Sequence, residues 1–170
     1  MPEPGTFREP LQGEKPLDST PLRRRPFEAE VSDTLADMYR KFASKYGNPS
    51  NVLYPGCGYD ASPSEVFPNV VYVDRKIVYV NALRAKELDA RHTTIQDFEP
   101  DREFDLLIVM NFHLPDPHPS RLLKRGYAIC NHYQSWCLYD NPDFAFIEDL
   151  EHPERGFSYR AGYFLFKRKY

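Results

Sequence analysis

The residues NVLYPGCGYDASPSEVF, from Asn51 to Phe67, contain the pattern that decides the fold. They begin as a short apolar strand and break into a turn over Pro55 to Gly58. Ser62, Pro63 and Glu65 then predict the start of a helix, because serine caps helices, proline suits the first helical position and glutamate completes a capping box. A strand, a glycine turn and a helix N-terminus let backbone N–H groups face a ligand, although a tight turn without a ligand fits the same residues.

A second apolar run, VVYVD, extends from Val70 to Asp74. Continuous apolar runs predict strands covered on both faces, as in a parallel sheet. An acid at the end of the strand that follows a glycine turn can accept hydrogen bonds from both hydroxyls of a ribose, but Asp74 could equally only cap the next helix. Further strands are predicted from the apolar runs at 104–111, 126–133, 144–150 and 162–168, the last two as a long hairpin.

Helices are predicted on either side of these first two strands. A face of apolar residues at helical spacing precedes the first strand and ends at the Gly47-Asn48-Pro49 sequence; it consists of Val31, Leu35, Met38, Tyr39, Phe42 and Tyr46. The segment after Asp74 is ambiguous. IVYV has strand propensity and suggests a hairpin that turns at 74–76, whereas NALRAKEL favours a helix over 76–88.

Length and composition limit the organisation of the chain. Its 170 residues suit one domain, predicted over 27–170. Residues 1–26 hold six of the 16 prolines and show no apolar periodicity, which predicts an extended Pro-rich arm. The net charge of −3 argues against a strongly basic nucleic-acid-binding protein. No apolar run is long enough to span a membrane, and the N-terminal residues contain no signal-peptide core.

The cysteines indicate neither a disulfide framework nor a metal site. Cys57, Cys130 and Cys137 are odd in number, which predicts reduced thiols and a cytoplasmic protein. Cys130, His132 and Cys137 are residue types that bind zinc, but their spacing matches no zinc motif, so no metal is predicted.

In their order along the chain, these segments resemble the class I S-adenosylmethionine-dependent methyltransferases over about residues 30–168. VLYPGCGYD is similar to the first motif of that family and VVYVD to the second, with Asp74 as the acid that binds ribose. TTIQDFEPDREFDLLIVMNF resembles the region around the third and fourth strands, where an Asp-aromatic pair, here Asp97 and Phe98, contacts adenine. LLKRGYAICNHY resembles the fifth strand.

The resemblance implies an α/β fold. This would be a Rossmann-like, mostly parallel sheet with an antiparallel C-terminal strand pair, helices on both faces and a helix after Asp74. It also implies methyl transfer from S-adenosylmethionine. The implied cofactor-binding residues are Tyr54, Pro55, Gly56, Cys57, Gly58, Asp74, Arg75, Asp97, Phe98 and Asn111. Asn111 and His113, at the end of the fourth strand, are the catalytic candidates.

Three departures from the family pattern leave the activity open. Tyr54 stands where the family usually has an acid, and Asp60 replaces the third glycine of the first motif. Pro68 shortens the helix that follows. The chain could therefore also be an inactive methyltransferase-like scaffold that acts as a binding or regulatory module.

The substrate and the cofactor are open as well. LPDPHPSR is similar to a Pro-rich stretch of the tRNA guanine-N7 methyltransferases, which suggests RNA as the acceptor. A nicotinamide dinucleotide enzyme is less well supported, because Ala61 stands at the last glycine of the G-x-G-x-x-G pattern. The sequence does not identify the methyl acceptor, whether small molecule or macromolecule, because acceptor choice depends on loops added to the fold.

Overall fold

The computed structural model describes residues 28–110, 114–131, 134–151 and 162–170, together with Leu17. The helices in this part of the chain are α1 (Glu28–Tyr46), a 3₁₀ helix (Ser62–Glu65), α2 (Ile77–Arg84), α3 (His118–Leu122) and α4 (Trp136–Tyr139). The strands are β1 (Val52–Pro55), β2 (Val70–Asp74), β3 (Asp89–His92), β4 (Phe104–Val109), β5 (Leu123–Asn131), β6 (Phe144–Glu151) and β7 (Tyr163–Arg168). Apart from Leu17, the predicted arm at 1–26 lies outside the described residues.

The strands form one sheet in the order β3-β2-β1-β4-β5-β7-β6. Strands β1 to β5 run parallel, and β7 pairs antiparallel with both β5 and β6. The central strand β1 is buried along its whole length, as expected for a strand that is covered on both faces. The predicted fold class, a Rossmann-like and mostly parallel sheet with an antiparallel C-terminal pair, is confirmed.

Helices cover both faces of the sheet, and each face has its own core. α1 and α2 lie over one face, where Tyr39 of α1 packs with Tyr54 of β1. α3 and α4 lie over the other face, where Leu122 and Leu138 join Leu53 of β1. Neighbouring residues of β1 belong to opposite cores because successive side chains of a strand point to opposite faces.

The two helix predictions are confirmed in type. Leu35, Met38, Tyr39 and Phe42 of the predicted α1 face are buried. The ambiguous segment after Asp74 is helical, although α2 ends at Arg84 and not at Leu88. None of the helices in the described ranges is both long and apolar enough to cross a membrane.

Strand β3 was not predicted. It lies at one edge of the sheet and pairs only with β2. Of its four residues, Asp89 to His92, only Ala90 is buried. An edge strand of this kind has neither an apolar run nor a regular alternation, so the sequence contains no strong signal for it.

The predicted capping box at Ser62 is wrong. Ser62 is the first residue of the 3₁₀ helix, and its hydroxyl donates to Asp60 rather than accepting a helix N–H. The residue before the helix is Ala61, which has no side-chain cap, and Asp60 Oδ1 accepts the backbone N–H of Ser62 at 2.9 Å in a local side-chain–backbone hydrogen bond. The helix ends after one turn, ahead of Pro68, in line with the prediction of a shortened helix.

Candidate functional site

A ligand site is expected where the strand order of the sheet reverses. From β1 the chain continues to β2 and β3 on one side, whereas β4 and β5 lie on the other side. In open α/β sheets such a reversal leaves a crevice beyond the carboxyl ends of the strands, and ligands bind there. At this edge lie the turn after Pro55, Asp74 at the end of β2 and Met110 after β4.

The turn after β1 presents backbone to the crevice. Gly56 and Gly58 have φ values of 62° and 58°, in the left-handed region that favours glycine. The N–H of Gly56 donates to the carbonyl of Val73 in β2 at 2.7 Å, which holds the turn against the neighbouring strand. A Cβ added to Gly58 would meet no atom within 4 Å. The space beside this glycine is therefore open, and a ligand could approach the backbone closely there.

Asp74 links the turn to the start of α2. One carboxylate oxygen accepts the N–H of Gly58 at 3.0 Å, and the other accepts the N–H of Lys76 at 2.9 Å. Asp74 is 7% exposed. Burial raises the pKa of its carboxyl, and the two backbone N–H bonds oppose that rise. Asp74 thus lies against the glycine turn and also holds the N–H of Lys76, the residue before α2, but it does not cap that helix, whose N-terminus has no side-chain cap.

Tyr54 and Asp60, two of the departures from the family pattern, contact each other. The Tyr54 hydroxyl donates to Oδ2 of Asp60 at 2.8 Å. Oδ1 of Asp60 accepts from the N–H and the hydroxyl of Ser62, at 2.9 and 2.5 Å. Burial, and then the charge of Asp60, raises the pKa of Tyr54 well above its ordinary value, which keeps the hydroxyl protonated as a donor.

Three predicted cofactor-binding residues at this turn have buried side chains. Tyr54 is 1% exposed, and Pro55 and Cys57 are also buried. The cofactor contacts of these three residues stay predictions. Burial raises the pKa of the Cys57 thiol well above its ordinary value, so Cys57 lacks the thiolate that a nucleophile needs.

The end of β3 adds two residues to this edge that the sequence did not reveal. His92 lies in register with Asp74, and its Nε2 is 3.0 Å from the carbonyl oxygen of Arg75. The N–H of Thr93 donates to the carbonyl of Asp74 at 3.2 Å. The only signal that could have indicated them is the register between β2 and β3, which requires β3 to be located first.

Of the predicted adenine pair, Asp97 is exposed to solvent and Phe98 lies in the core. The Asp97 carboxylate is exposed and accepts from the Thr94 hydroxyl at 3.0 Å. Phe98 is 3% exposed, and its ring packs against Phe104 and lies below the guanidinium of Arg91. Its N–H donates to the Thr94 carbonyl at 3.0 Å. The Phe98 ring is thus buried in this structure, and the adenine contacts of Asp97 and Phe98 stay predictions.

The loop that carries Asp97 is held in place by α3. The guanidinium of Arg121 donates to the carbonyl of Phe98 at 2.8 Å and to the carbonyl of Ile95 at 2.7 Å. Hydrogen bonds from a charged donor are stronger than neutral ones. Arg121 therefore holds the backbone of this loop in place.

The catalytic candidates Asn111 and His113 lie outside the described residues. Met110, the last described residue before them, follows β4 at the strand-order reversal. The carbonyl of Met110 accepts from the side-chain amide of Asn131 at the end of β5, and the Asn131 Oδ1 accepts the N–H of Gln134 at 3.1 Å. Met110, the last described residue before 111–113, is therefore held in place by β5.

Within the described ranges, no cluster of His, Cys, Asp or Glu side chains is arranged to bind a metal ion. Cys130 and Cys137 lie in the core on the α4 side of the sheet, and burial raises the pKa of both thiols, that of Cys137 to about 11. His132, the third residue of the zinc-like spacing, lies outside the described residues.

Comparison with solved structures places this architecture in one fold. The N-methyltransferase NodS of Bradyrhizobium japonicum superposes with a TM-score of 0.63 at 17% identity, over 86% of this chain and 99% of NodS. The magnesium protoporphyrin IX methyltransferase ChlM of Synechocystis, with S-adenosylmethionine bound, has a TM-score of 0.62 at 15% identity, over 88% of this chain and 87% of ChlM. An Escherichia coli rRNA methylase has a TM-score of 0.51 at 16% identity, over 83% and 67%.

The fold is therefore that of the class I S-adenosylmethionine-dependent methyltransferases, as the sequence resemblance implied. No protein-family model matches the chain, and no curated protein matches it in sequence.

Proposed function

We propose that this protein binds S-adenosylmethionine at the carboxyl edge of β1 and β2 and transfers its methyl group to an acceptor. The observation that carries the proposal is the hydrogen bond from Gly58 to Asp74, which places a carboxylate beside a left-handed turn with open space next to it. Methyltransferases of the same fold that were solved with S-adenosylmethionine or S-adenosylhomocysteine bound support this choice of cofactor.

In this proposal Asp74 accepts hydrogen bonds from the ribose hydroxyls. Each of its carboxylate oxygens already accepts one backbone N–H and has a further lone pair available. The backbone from Gly56 to Gly58 lines the cofactor, Asp97 and Phe98 remain the candidates for adenine, and Arg75 is a further candidate for the cofactor. When bound, S-adenosylmethionine supplies a methyl group activated by its sulfonium. The protein aligns the acceptor with that methyl and keeps water away.

The acceptor would meet the site where β4 and β5 end, and the proposed catalytic residues Asn111 and His113 follow β4 in the sequence. The rRNA methylase of Escherichia coli and the 1,6-didemethyltoxoflavin methyltransferase of Burkholderia thailandensis share the fold, so the fold serves both RNA and small-molecule acceptors. RNA and small molecules therefore both stay open as acceptors. Three free, buried cysteines support a reducing compartment such as the cytoplasm for this activity.

Calorimetric titration of the full chain tests the proposed function. We expect S-adenosylmethionine and S-adenosylhomocysteine to bind at one site with micromolar affinity. An absence of binding of either compound up to millimolar concentrations would refute the proposal and favour the inactive scaffold. Binding of a nicotinamide dinucleotide in their place would also refute it and would assign a different cofactor.

Replacement of Gly58 by alanine tests the turn itself. At a φ of 58° a Cβ costs about 1 kcal/mol of folding free energy, and this Cβ would project into the space proposed for the cofactor. We expect Gly58→Ala to weaken binding of S-adenosylhomocysteine about 10-fold or more, measured by calorimetry.

Gly47→Ala is the matched control for this variant. Gly47 also has a positive φ, 90°, and open space around an added Cβ, but it lies after α1, ahead of the amino end of β1. Gly47→Ala should therefore lower stability by a similar amount without any change in affinity. Equal affinities of Gly58→Ala and Gly47→Ala would show that the cofactor does not lie against Gly58.

A further inference from the structure

A single turn of 3₁₀ helix, Ser62–Glu65, follows the glycine turn and offers few hydrogen bonds of its own. A tyrosine of the neighbouring strand β2 supplies further ones. The Tyr72 hydroxyl lies 2.7 Å from Oγ of Ser64, accepts the N–H of Ser64 at 3.2 Å and donates to the carbonyl of Ala61 at 3.3 Å. With the Ser64 hydroxyl as donor in the first contact, these contacts use the one proton and both lone pairs of the tyrosine hydroxyl.

The Tyr72 side chain is itself held in one place. Tyr72 is 0% exposed, and its ring lies 6.0 Å from the ring of Tyr54 in the core beneath α1. Burial raises the pKa of Tyr72, so the hydroxyl stays protonated and can donate to Ala61. Because close packing leaves a buried ring little freedom, its hydroxyl is a fixed point of attachment for the short helix.

Tyr72 is the first of three successive β2 residues that bind the segment after β1. The carbonyl of Val73 accepts the N–H of Gly56 at 2.7 Å, and the carboxylate of Asp74 accepts the N–H of Gly58 at 3.0 Å. The Tyr72 hydroxyl holds the end of the segment, where the 3₁₀ helix starts. The beginning, the middle and the end of the turn are therefore each attached to β2.

We infer that Tyr72 is a positioning residue, whose hydroxyl holds the end of the glycine turn so that the backbone at Gly58 is ordered before the cofactor binds. This inference rests on the proposed function and assigns to it a residue that is buried away from the ligand. A turn that is already ordered loses little conformational freedom on binding, so the hydroxyl contributes to affinity without touching the ligand. Without the hydroxyl, the turn would have to become ordered at the expense of affinity.

Tyr72→Phe tests the inference because it removes the hydroxyl and retains the buried ring. Hydrogen exchange of the ligand-free protein, followed by NMR, measures the order of the turn. The informative amides are those of Gly58 and Ser62, which donate to Asp74 and Asp60 and not to Tyr72. We expect both amides to exchange about 10-fold faster or more in Tyr72→Phe, because local opening of the turn becomes easier.

Tyr46→Phe is the matched control. Tyr46 packs against the same core, and its hydroxyl donates to Glu148 of β6, away from the turn. Both variants lose a tyrosine hydrogen bond on the same side of the sheet, and both should be somewhat less stable than the wild type. Only Tyr72→Phe should accelerate the exchange of the Gly58 and Ser62 amides.

Calorimetric titration with S-adenosylhomocysteine connects the turn with the ligand. We expect Tyr72→Phe to weaken binding about 10-fold and Tyr46→Phe to leave it unchanged. Ser64→Ala removes one partner of the Tyr72 hydroxyl and should weaken binding about 3-fold. Combined with Tyr72→Phe it should add nothing further, because both substitutions break the same contact. Additive losses would show that the two hydroxyls act independently and would overturn the inference.

The outcomes separate this inference from the proposed function. If the wild type does not bind S-adenosylhomocysteine, the proposed function falls, and the exchange rates alone decide whether Tyr72 holds the turn. If the wild type binds and Tyr72→Phe leaves either the exchange or the affinity unchanged, the inference alone is overturned. It is equally overturned if Tyr46→Phe has the same effects as Tyr72→Phe, since lower stability would then account for both.

Discussion

Asp74→Ala is expected to reduce the affinity for S-adenosylhomocysteine by about 100-fold or more, because two charge-assisted hydrogen bonds to the ribose would be lost together. The carboxylate is in place before the ligand binds, with one backbone N–H on each oxygen. The loss of Asp74 would also free the N–H of Gly58, so the turn would be less well defined. Calorimetry on the wild type and the variant measures the change.

The control for Asp74→Ala must lose a similar pair of backbone contacts elsewhere. Asp105→Ala meets this condition, since its carboxylate accepts the N–H groups of Ser50 and Asn51, each at 2.9 Å, at the amino end of β1. Both variants should unfold at similarly lowered temperatures, and only Asp74→Ala should lose the ligand. An Asp74→Ala protein that is folded and binds as tightly as Asp105→Ala would remove Asp74 from the site.

Gly126→Ala is expected to have the largest effect on stability, about 3 kcal/mol or more, because a Cβ at this position has no room. It would overlap the carbonyl oxygen of Asp105 in β4 and lie 2.8 Å from its carbonyl carbon. The pairing of β4 with β5 shifts register at this point, and a backbone at this distance cannot move without disturbing the sheet. Thermal and urea unfolding measure the loss.

Gly47→Ala separates the cost of the overlap with Asp105 from the cost of a side chain in the left-handed backbone conformation. Gly47 and Gly126 have φ values of 90° and 91°, but a Cβ at Gly47 meets nothing within 4 Å. The strain of the left-handed conformation is therefore common to both variants, and the difference between their unfolding free energies reports the overlap with Asp105. If the two variants were equally stable, β4 and β5 would not approach as closely at Gly126 as the structure indicates.

The central strands and the main helix could be predicted because burial on both faces leaves an unambiguous sequence pattern. VLYP and VVYVD are apolar up to their ends, and both are buried throughout. The edge strand β3 has only Ala90 in the core, so no periodicity indicated it. With β3 missing, the positions of His92 and Thr93 beside Asp74 could not be inferred either.

Local competition between polar side chains accounts for the wrong capping box. Ser62, Pro63 and Glu65 match the pattern of a helix start, yet Asp60 lies two residues earlier and accepts the N–H of Ser62 first. The sequence marked Tyr54 and Asp60 as separate departures from the family pattern. Their direct hydrogen bond depends on the path of the turn, which no pattern of residue types specifies.

The burial of the Phe98 ring could not be predicted for a related reason. An acid followed by an aromatic residue indicates a loop near the third strand, but it does not say which way the ring points. In the structure the ring faces the core shared with Phe104, and Arg121 holds the loop from α3 in that orientation. The close packing at Gly126 could not be predicted either, because its sequence neighbours do not reveal that the backbone of β4 passes within contact distance.

The most direct test of a cofactor site on this edge of the sheet is a crystal structure of the full chain grown with saturating S-adenosylhomocysteine. We predict that the ribose hydroxyls lie within hydrogen-bond distance of the Asp74 carboxylate, with the ligand against the backbone of Gly56 to Gly58. Ligand bound elsewhere on the protein, or a crevice without ligand at that concentration, would contradict the assignment of this edge as the cofactor site.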